Sequence, residues 1–116
     1  MYDENNIFAK ILRKEIPCDK IYEDEYSLFF KDINPQAKIH ILGIPKFPCT
    51  TFSDFLKNAD NQNISSFFKS VQIVIKDQKI EENGYRLITN SGEDGGQEVP
   101  HFHIHILAGE KIGGLR

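Results

Sequence analysis

Hydrophobic residues recur along this chain at two different spacings, which predict helices in some segments and strands in others. The segment Ile7–Leu12 places apolar residues on one helical face, with Asn5 or Asn6 before it as a candidate N-cap. A second, long helix is predicted over Asp60–Lys79, where apolar residues recur at helical spacing. The β-branched run Val71–Ile75 within it leaves a strand open as the alternative for that region.

The other apolar segments are short and end at turn residues, which is typical of strands. They predict five strands: Lys20–Glu23, Ser27–Asp32, Lys38–Ile44, Tyr85–Asn90 and Val99–Ala108. The chain contains no internal repeat and no low-complexity tract. We therefore expect one α+β domain over residues 1–116, a mostly antiparallel five-stranded sheet with two helices packed on it.

The last predicted strand contains three histidines at alternate positions, His101, His103 and His105. Alternate residues of a regular strand share one face and lie roughly 6.6–7 Å apart, so the intervening apolar residues would fill the opposite face. Three of the four histidines of the chain are in this run. Because the ordinary pKa of histidine is near neutral pH, such a face favours proton transfer, metal binding or nucleophilic chemistry.

Three interpretations of these histidines remain open from the residues alone. They could be surface or hydrogen-bonded core residues, or two of them could bind a metal ion together with His40. One ion could hardly bind all three, because the outer pair would be roughly 13–14 Å apart at the backbone. In the third interpretation a neutral imidazole attacks phosphorus while its neighbours donate hydrogen bonds to phosphate oxygens or to a leaving group. The central position favours His103 as that nucleophile.

The segment Asn90–Gln97, just before the histidines, combines three glycines with small polar residues. Glycine allows backbone N–H groups to approach a ligand closely, and successive N–H groups can form an anion-binding concavity. An ordinary loop between two strands is the alternative. Its position next to the histidine run favours a phosphate-binding loop.

The run Gly96–Leu107 resembles the signature of the histidine-triad (HIT) superfamily and is most similar to its branch of histidine-triad nucleotide-binding (Hint) proteins. Ile7–Pro17, Asp32–Ala37 and His40–Lys46 resemble the same branch in the same order, so the likeness extends from about residue 6 to residue 109. It implies a HIT-like fold and a hydrolase of purine nucleoside 5′-phosphoramidates that acts through a covalent nucleotidyl-histidine. It also implies a homodimer with the helix Asp60–Lys79 at the interface, where we expect the apolar residues Phe67, Phe68, Val71 and Val74.

The resemblance assigns roles to individual positions. His103 matches the nucleophile, His105 the residue that contacts phosphate and leaving group, and His101 the triad member that supports the nucleophile. His40 matches a fourth histidine packed behind the triad, and Asp32 an acidic residue that binds ribose hydroxyls. The remaining matches are Ile33 beside the base and, in the phosphate-side loop, Asn90, Gly96, Gln97 and Val99.

The chain departs from the family pattern at two neighbouring positions. Glu98 stands where many members have Ser or Thr near the leaving group, and Pro100 stands where an aromatic residue is common. A carboxylate there would repel an anion but favour a positively charged amine leaving group. We therefore expect Glu98 to tune the choice of leaving group, with a solvated loop carboxylate as the alternative.

Composition excludes several classes of partner. With 14 Lys and Arg against 17 Asp and Glu, the net charge of −3 opposes nonspecific nucleic-acid binding. Cys18 and Cys49 form no CxxC motif and are typical of reduced thiols in a cytosolic protein. The start of the chain does not resemble a signal peptide, and no stretch approaches the ~20 apolar residues of a membrane span.

We therefore expect a cytoplasmic protein without a cofactor, whose partner is a purine nucleoside monophosphate or its phosphoramidate. Two alternatives stay open at this point. One is a nucleotide-binding regulatory or scaffold protein with residual catalysis, and the other is a histidine-based metal-binding protein.

Overall fold

The computed structural model describes residues 1–114, and in these the chain forms three helices and five strands. Their order is α1 (Ile7–Leu12), β1 (Lys20–Glu23), β2 (Ser27–Lys31), β3 (Ile39–Pro45), α2 (Phe52–Asn58), α3 (Asn61–Asp77), β4 (Tyr85–Ile88) and β5 (Ile104–Ala108). The strands form one sheet in the order β1-β2-β3-β5-β4, and every neighbouring pair is antiparallel. The predicted α+β class and five-stranded sheet are confirmed.

Both predicted helices form, with N-caps that the sequence indicates. Asn6 caps α1, where its side chain accepts a hydrogen bond from the N–H of Ala9 at 2.9 Å. Asp60 caps α3 by accepting from the N–H of Asn63 at 2.8 Å. The run Val71–Ile75 is helical, so the strand alternative for it is wrong.

The third helix, α2, is absent from the sequence-based prediction of two helices. Thr51 caps it by accepting a hydrogen bond from the N–H of Asp54 at 3.0 Å. Phe55 is the one buried residue among its seven. A single buried residue produces no helical periodicity, and the prediction missed the helix for that reason.

The last strand begins at Ile104 and not at Val99, which corrects the prediction of a strand over Val99–Ala108. Pro100 has no N–H to give to a ladder. The N–H of His101 bonds to the carbonyl of Val99 at 2.8 Å, and the N–H of Phe102 bonds to the carbonyl of Cys49 at 2.9 Å. Because these groups bond outside the sheet, the three histidines do not alternate along one regular strand.

The two faces of the sheet are covered by different helices. One face packs against α2 and α3 around fully buried Phe29, Phe55 and Phe67. Val71 and Val74 are also buried in this core, so of the four residues expected at a dimer interface only Phe68 is exposed. The opposite face packs against α1 through Phe8, Ile11, Leu28, Phe30, Leu42 and Ile44. No helix among the described residues is long and apolar enough to cross a membrane.

Candidate active site

A cavity of about 730 Å³ opens on the α1 side of the sheet. Apolar side chains of α1, β2 and β3 form one wall, and the loop before β5 forms another. Most of the residues predicted for the site line it: Asp32, Ile33, Asn90, Gly96, Glu98, Val99, His103 and His105. Three predicted residues, His40, Gln97 and His101, lie behind its lining.

His103 presents one ring nitrogen to the protein and the other to the cavity. Its Nδ1 lies 2.7 Å from the carbonyl oxygen of His101, so Nδ1 carries the proton and donates it. Nε2 makes no hydrogen bond to any described residue and keeps its lone pair. Burial, opposed by that carbonyl, lowers the pKa of His103, which favours the neutral ring near pH 7.

His105 has the opposite tautomer, because a chain of hydrogen bonds runs to it from the backbone. The N–H of Gln36 donates to Nδ1 of His40 at 3.0 Å, so neutral His40 carries its proton on Nε2. That nitrogen lies 2.9 Å from Nδ1 of His105, which therefore accepts. The proton of His105 is then on Nε2. Burial is the main cause that lowers the pKa of His105 to about 4 and also lowers the pKa of His40.

The cavity therefore contains two adjacent neutral imidazoles with complementary functions. The ring centroids of His103 and His105 are 5.1 Å apart. His103 has a free lone pair for attack on an electrophile, whereas His105 has an N–H for an anionic oxygen or a departing nitrogen. This pairing suits displacement at phosphorus through a covalent histidine intermediate.

The ring of His101 does not reach the cavity. It is fully buried, with Nε2 2.8 Å from the carbonyl of Pro45 and Nδ1 2.6 Å from the hydroxyl of Tyr2. Nε2–H donates to the carbonyl, so Nδ1 accepts from the tyrosine. Burial lowers the pKa of His101 to about 4. A row of three imidazoles on one face, expected from regular alternation, is therefore wrong. His101 contacts His103 through the backbone carbonyl of His101, which lies next to Nδ1 of His103.

Sequence reasoning missed Tyr2 and the backbone of Gln36. Tyr2 is 99 residues from His101 along the chain, and no local pattern connects them. The N–H of Gln36 acts through the backbone, which no residue type can indicate. Phe8 lies in the first predicted helix, and its ring contacts His103 edge-on, with ring centroids 5.0 Å apart.

The glycine-rich loop is held together by its own amide side chains. The side chain of Asn90 donates to the carbonyl of Gly95 at 2.8 Å. Gln97 donates to the carbonyls of Thr50 and Val99 and accepts from the N–H of Gly92. Gln97 thus braces the loop behind the cavity lining. Gly96 has a φ of 73°, a conformation that side chains other than glycine rarely adopt.

Three groups are close enough to be considered as metal ligands: Asp32, His40 and His105, whose ligand atoms lie within 4.8 Å of one another. The set shares only His105 with the histidine triad. The two imidazole nitrogens that face each other at 2.9 Å have the separation and the donor–acceptor assignment of a hydrogen bond. That arrangement supports a hydrogen bond between His40 and His105, in which the two rings share one proton.

The chain is similar to known proteins over nearly its whole length. The HIT domain family model matches residues 13–112. The chain is 50% identical to an uncharacterised HIT-like protein of Azospirillum brasilense over 112 residues, which are 97% of this chain and 92% of that protein. It is 43% identical to the purine nucleoside phosphoramidase of Escherichia coli K12 over 111 residues, 95% of this chain and 92% of that enzyme.

Among solved structures, a HIT family hydrolase from Legionella pneumophila Philadelphia 1 matches with a TM-score of 0.86 and 37% identity. The match covers 94% of this chain and 96% of that one. The family model includes the histidine run, and the relatives and the solved structure match 94% or more of the chain. The chain therefore belongs to the HIT domain family.

Proposed function

We propose that the protein is a nucleoside 5′-phosphoramidate hydrolase that binds purine nucleotides in this cavity and acts through a covalent nucleotidyl-histidine at His103. The observation that carries the proposal is the pattern of hydrogen bonds at one cavity that assigns opposite tautomers to His103 and His105. The identity of 43% to an enzyme named purine nucleoside phosphoramidase supports this substrate class.

In the first step the Nε2 lone pair of His103 attacks phosphorus. A bond forms between Nε2 and phosphorus, and the phosphorus–nitrogen bond breaks with its electron pair on the amine, which takes up one proton. His105 donates its Nε2–H toward the developing negative charge and stabilises it. The depressed pKa of His103 keeps the attacking lone pair available at neutral pH.

In the second step water attacks the phosphorus of the intermediate. The bond to Nε2 of His103 breaks, its electron pair returns to the imidazole, and the water loses one proton. This proton passes to solvent, which supplied the proton that the amine took up, so protons balance over the two steps. The products are a nucleoside 5′-monophosphate and a free amine.

The rest of the cavity suits a nucleotide in size and in lining. Its volume of about 730 Å³ is within the usual range of small-molecule sites. The carboxylate of Asp32 is an acceptor for ribose hydroxyls, and Ile33 offers an apolar contact to the base. Asn90 and Gly96 place the glycine-rich loop near the histidines, where its N–H groups suit phosphate oxygens.

The substitution His103→Ala tests the proposal, with a fluorogenic adenosine phosphoramidate as substrate. Wild type should release the amine, and the variant should lose turnover by more than a hundredfold while it still binds AMP, because the loop and ribose contacts remain. Turnover within about tenfold of wild type, a barrier change of only about 1.4 kcal/mol, would contradict the nucleophile. AMP binding by a wild type that cleaves nothing would favour the regulatory or scaffold alternative.

The intermediate itself has a separate readout. Denaturing the wild type at neutral or alkaline pH during turnover should trap a nucleotidyl group, visible by mass spectrometry on the peptide that contains His103. His103→Ala is the matched control, because it lacks the attacking nitrogen and should carry no nucleotidyl group. A nucleotidyl group found on another residue would overturn the assignment.

A further inference from the structure

One proton in the site has two acceptors within reach. Nδ1 of His40 accepts from the N–H of Gln36, so the single N–H of neutral His40 is at Nε2. Nδ1 of His105 lies 2.9 Å from that nitrogen, and a carboxylate oxygen of Asp32, Oδ2, lies 3.3 Å from it. Only the contact to His105 has hydrogen-bond geometry, and the charged carboxylate at 3.3 Å attracts the same proton electrostatically and so opposes that bond.

We propose that ribose hydroxyls bound to Asp32 direct this proton of His40 toward His105, and so couple recognition of the sugar to the breaking of the phosphorus–nitrogen bond. This inference rests on the proposed function and extends it. Asp32 is then a positioning residue for leaving-group departure as well as a ribose ligand. Nucleotides without ribose hydroxyls are cleaved more slowly once bound.

The two carboxylate oxygens of Asp32 have different surroundings, and only one of them can respond to a bound sugar. Oδ1 accepts from the N–H of Asn34 at 2.8 Å, which fixes the carboxylate in place. Oδ2 is the oxygen near His40, and Asp32 also lines the cavity. A hydroxyl that donates to Oδ2 neutralises part of its charge and makes it a weaker competitor for the proton of His40.

The consequence for His105 follows from the cooperativity of hydrogen-bond chains. A stronger bond from His40 into Nδ1 draws electron density from the ring and makes the N–H at Nε2 a better donor. This N–H faces the cavity, where the amine departs. The side chain of His40 is only 4% exposed and that of Asp32 17%, so little water screens the exchange.

Nuclear magnetic resonance tests the coupling without any need for turnover. The probes are AMP and 2′,3′-dideoxyadenosine 5′-monophosphate, which share the base and the phosphate and differ only in the sugar hydroxyls. With histidine labelled by ¹⁵N, saturating AMP should move the His40 Nε2–H and His105 Nδ1 resonances clearly further than the dideoxy nucleotide does. Equal shifts at saturation with both nucleotides would overturn the coupling and leave the hydrolase proposal standing.

The kinetic test measures release of the leaving group in a single turnover at saturating enzyme. For an amine leaving group, removal of the sugar hydroxyls should slow the step by about fivefold to tenfold, within the usual range of coupling between sites. For p-nitrophenolate, which leaves without needing a proton, the same change should have almost no effect. An equal slowing for both leaving groups would overturn the proposal.

Asp32→Asn and Asp19→Asn separate the coupling from simple sugar binding. In Asp32→Asn the anionic competitor is gone, so the ribose and dideoxy substrates should release the amine at nearly the same rate. Asp19 also lines the cavity but pairs with Lys31 at 3.8 Å, so its substitution should keep the wild-type ratio. A ratio that persists in Asp32→Asn would contradict the role of the carboxylate. Failure of the hydrolase proposal would appear differently, as no amine release with either sugar.

Discussion

At the scale of single residues, the tautomer of His103 depends on a backbone position that a distant side chain helps to hold. The carbonyl of His101 accepts the proton of His103, and the ring of His101 is fastened at both nitrogens, by Tyr2 and by the carbonyl of Pro45. A hydrogen bond to each nitrogen allows only one orientation of the ring. Tyr2 thus acts on the nucleophile through the ring and then the backbone carbonyl of His101, and it does not line the cavity.

Tyr2→Phe should weaken this support while it keeps the aromatic packing against His101. The buried Nδ1 of His101 loses its donor, so the free energy of unfolding should fall by about 1–3 kcal/mol. We expect kcat for the phosphoramidate to fall by more than KM rises, because the carbonyl that holds His103 becomes less fixed. Urea unfolding and steady-state kinetics measure the two effects. Tyr26→Phe, at a tyrosine that does not line the cavity, is the control and should change neither.

Glu98 allows a prediction about the choice of leaving group. Its carboxylate lies at the exposed rim of the cavity that His103 lines. We expect it to favour amines with a positive charge, such as a lysyl group, by charge attraction. Glu98→Ser should lower kcat/KM for a cationic amine relative to a neutral one of the same shape. An unchanged ratio would show that Glu98 is only a solvated surface residue.

At the scale of helices and strands, the sequence predicted the elements that have a regular pattern of apolar residues. It missed the features that depend on one or two individual contacts. The five strands and α3 rest on runs of apolar residues, and these runs are present in the sequence itself. The helix α2 rests on a cap and one buried phenylalanine, Phe55. The start of β5 depends on the bond from Phe102 to Cys49, which joins segments far apart in the chain.

The candidate site shows the same difference between what the sequence indicates and what individual contacts determine. Eight of the residues that the family resemblance indicated line the cavity, and their roles there stay predictions. The tautomers could not be predicted, since they depend on the backbone N–H of Gln36 and the carbonyl of His101. Regular alternation also suggested that the ring of His101 lies beside His103, but the chain bends away from a strand there.

A cross-strand contact inside the sheet provides a stability prediction. Gly43 on β3 is opposite Phe29 on β2, and a Cβ at Gly43 would overlap the Phe29 ring. That ring is fully buried and stacked on Phe67, so it has little room to move. Gly43→Ala should therefore lower the free energy of unfolding by about 1–3 kcal/mol, measured by urea unfolding. Gly113→Ala, where a Cβ would meet nothing within 4 Å, is the matched control and should have little effect.

At the scale of the whole molecule, exposed apolar side chains remain at one edge of the sheet. β4 is an edge strand that pairs only with β5. Tyr85 and Leu87 on it are 40% and 44% exposed, and their register opposite Ala108 and Ile106 places them on the face that α3 covers. Because α3 packs mainly over β2 and β3, it leaves this end of the face open.

We expect these features to form a homodimer interface, with β4 and α3 of one subunit next to the same elements of its partner around a two-fold axis. The free edge of β4 offers backbone groups for pairing, and Tyr85 and Leu87 with Phe68 of α3 provide apolar area. Light scattering at micromolar concentration should give twice the chain mass of 13.3 kDa.

Leu87→Lys should shift that dimer to monomer, because it places a charge in the apolar part of the interface. Leu56→Lys on α2, at a leucine that is 41% exposed, is the matched control and should remain dimeric. A wild type that is monomeric at micromolar concentration would contradict the interface. A dimer that survives Leu87→Lys but dissociates with Leu56→Lys would instead place the interface at α2.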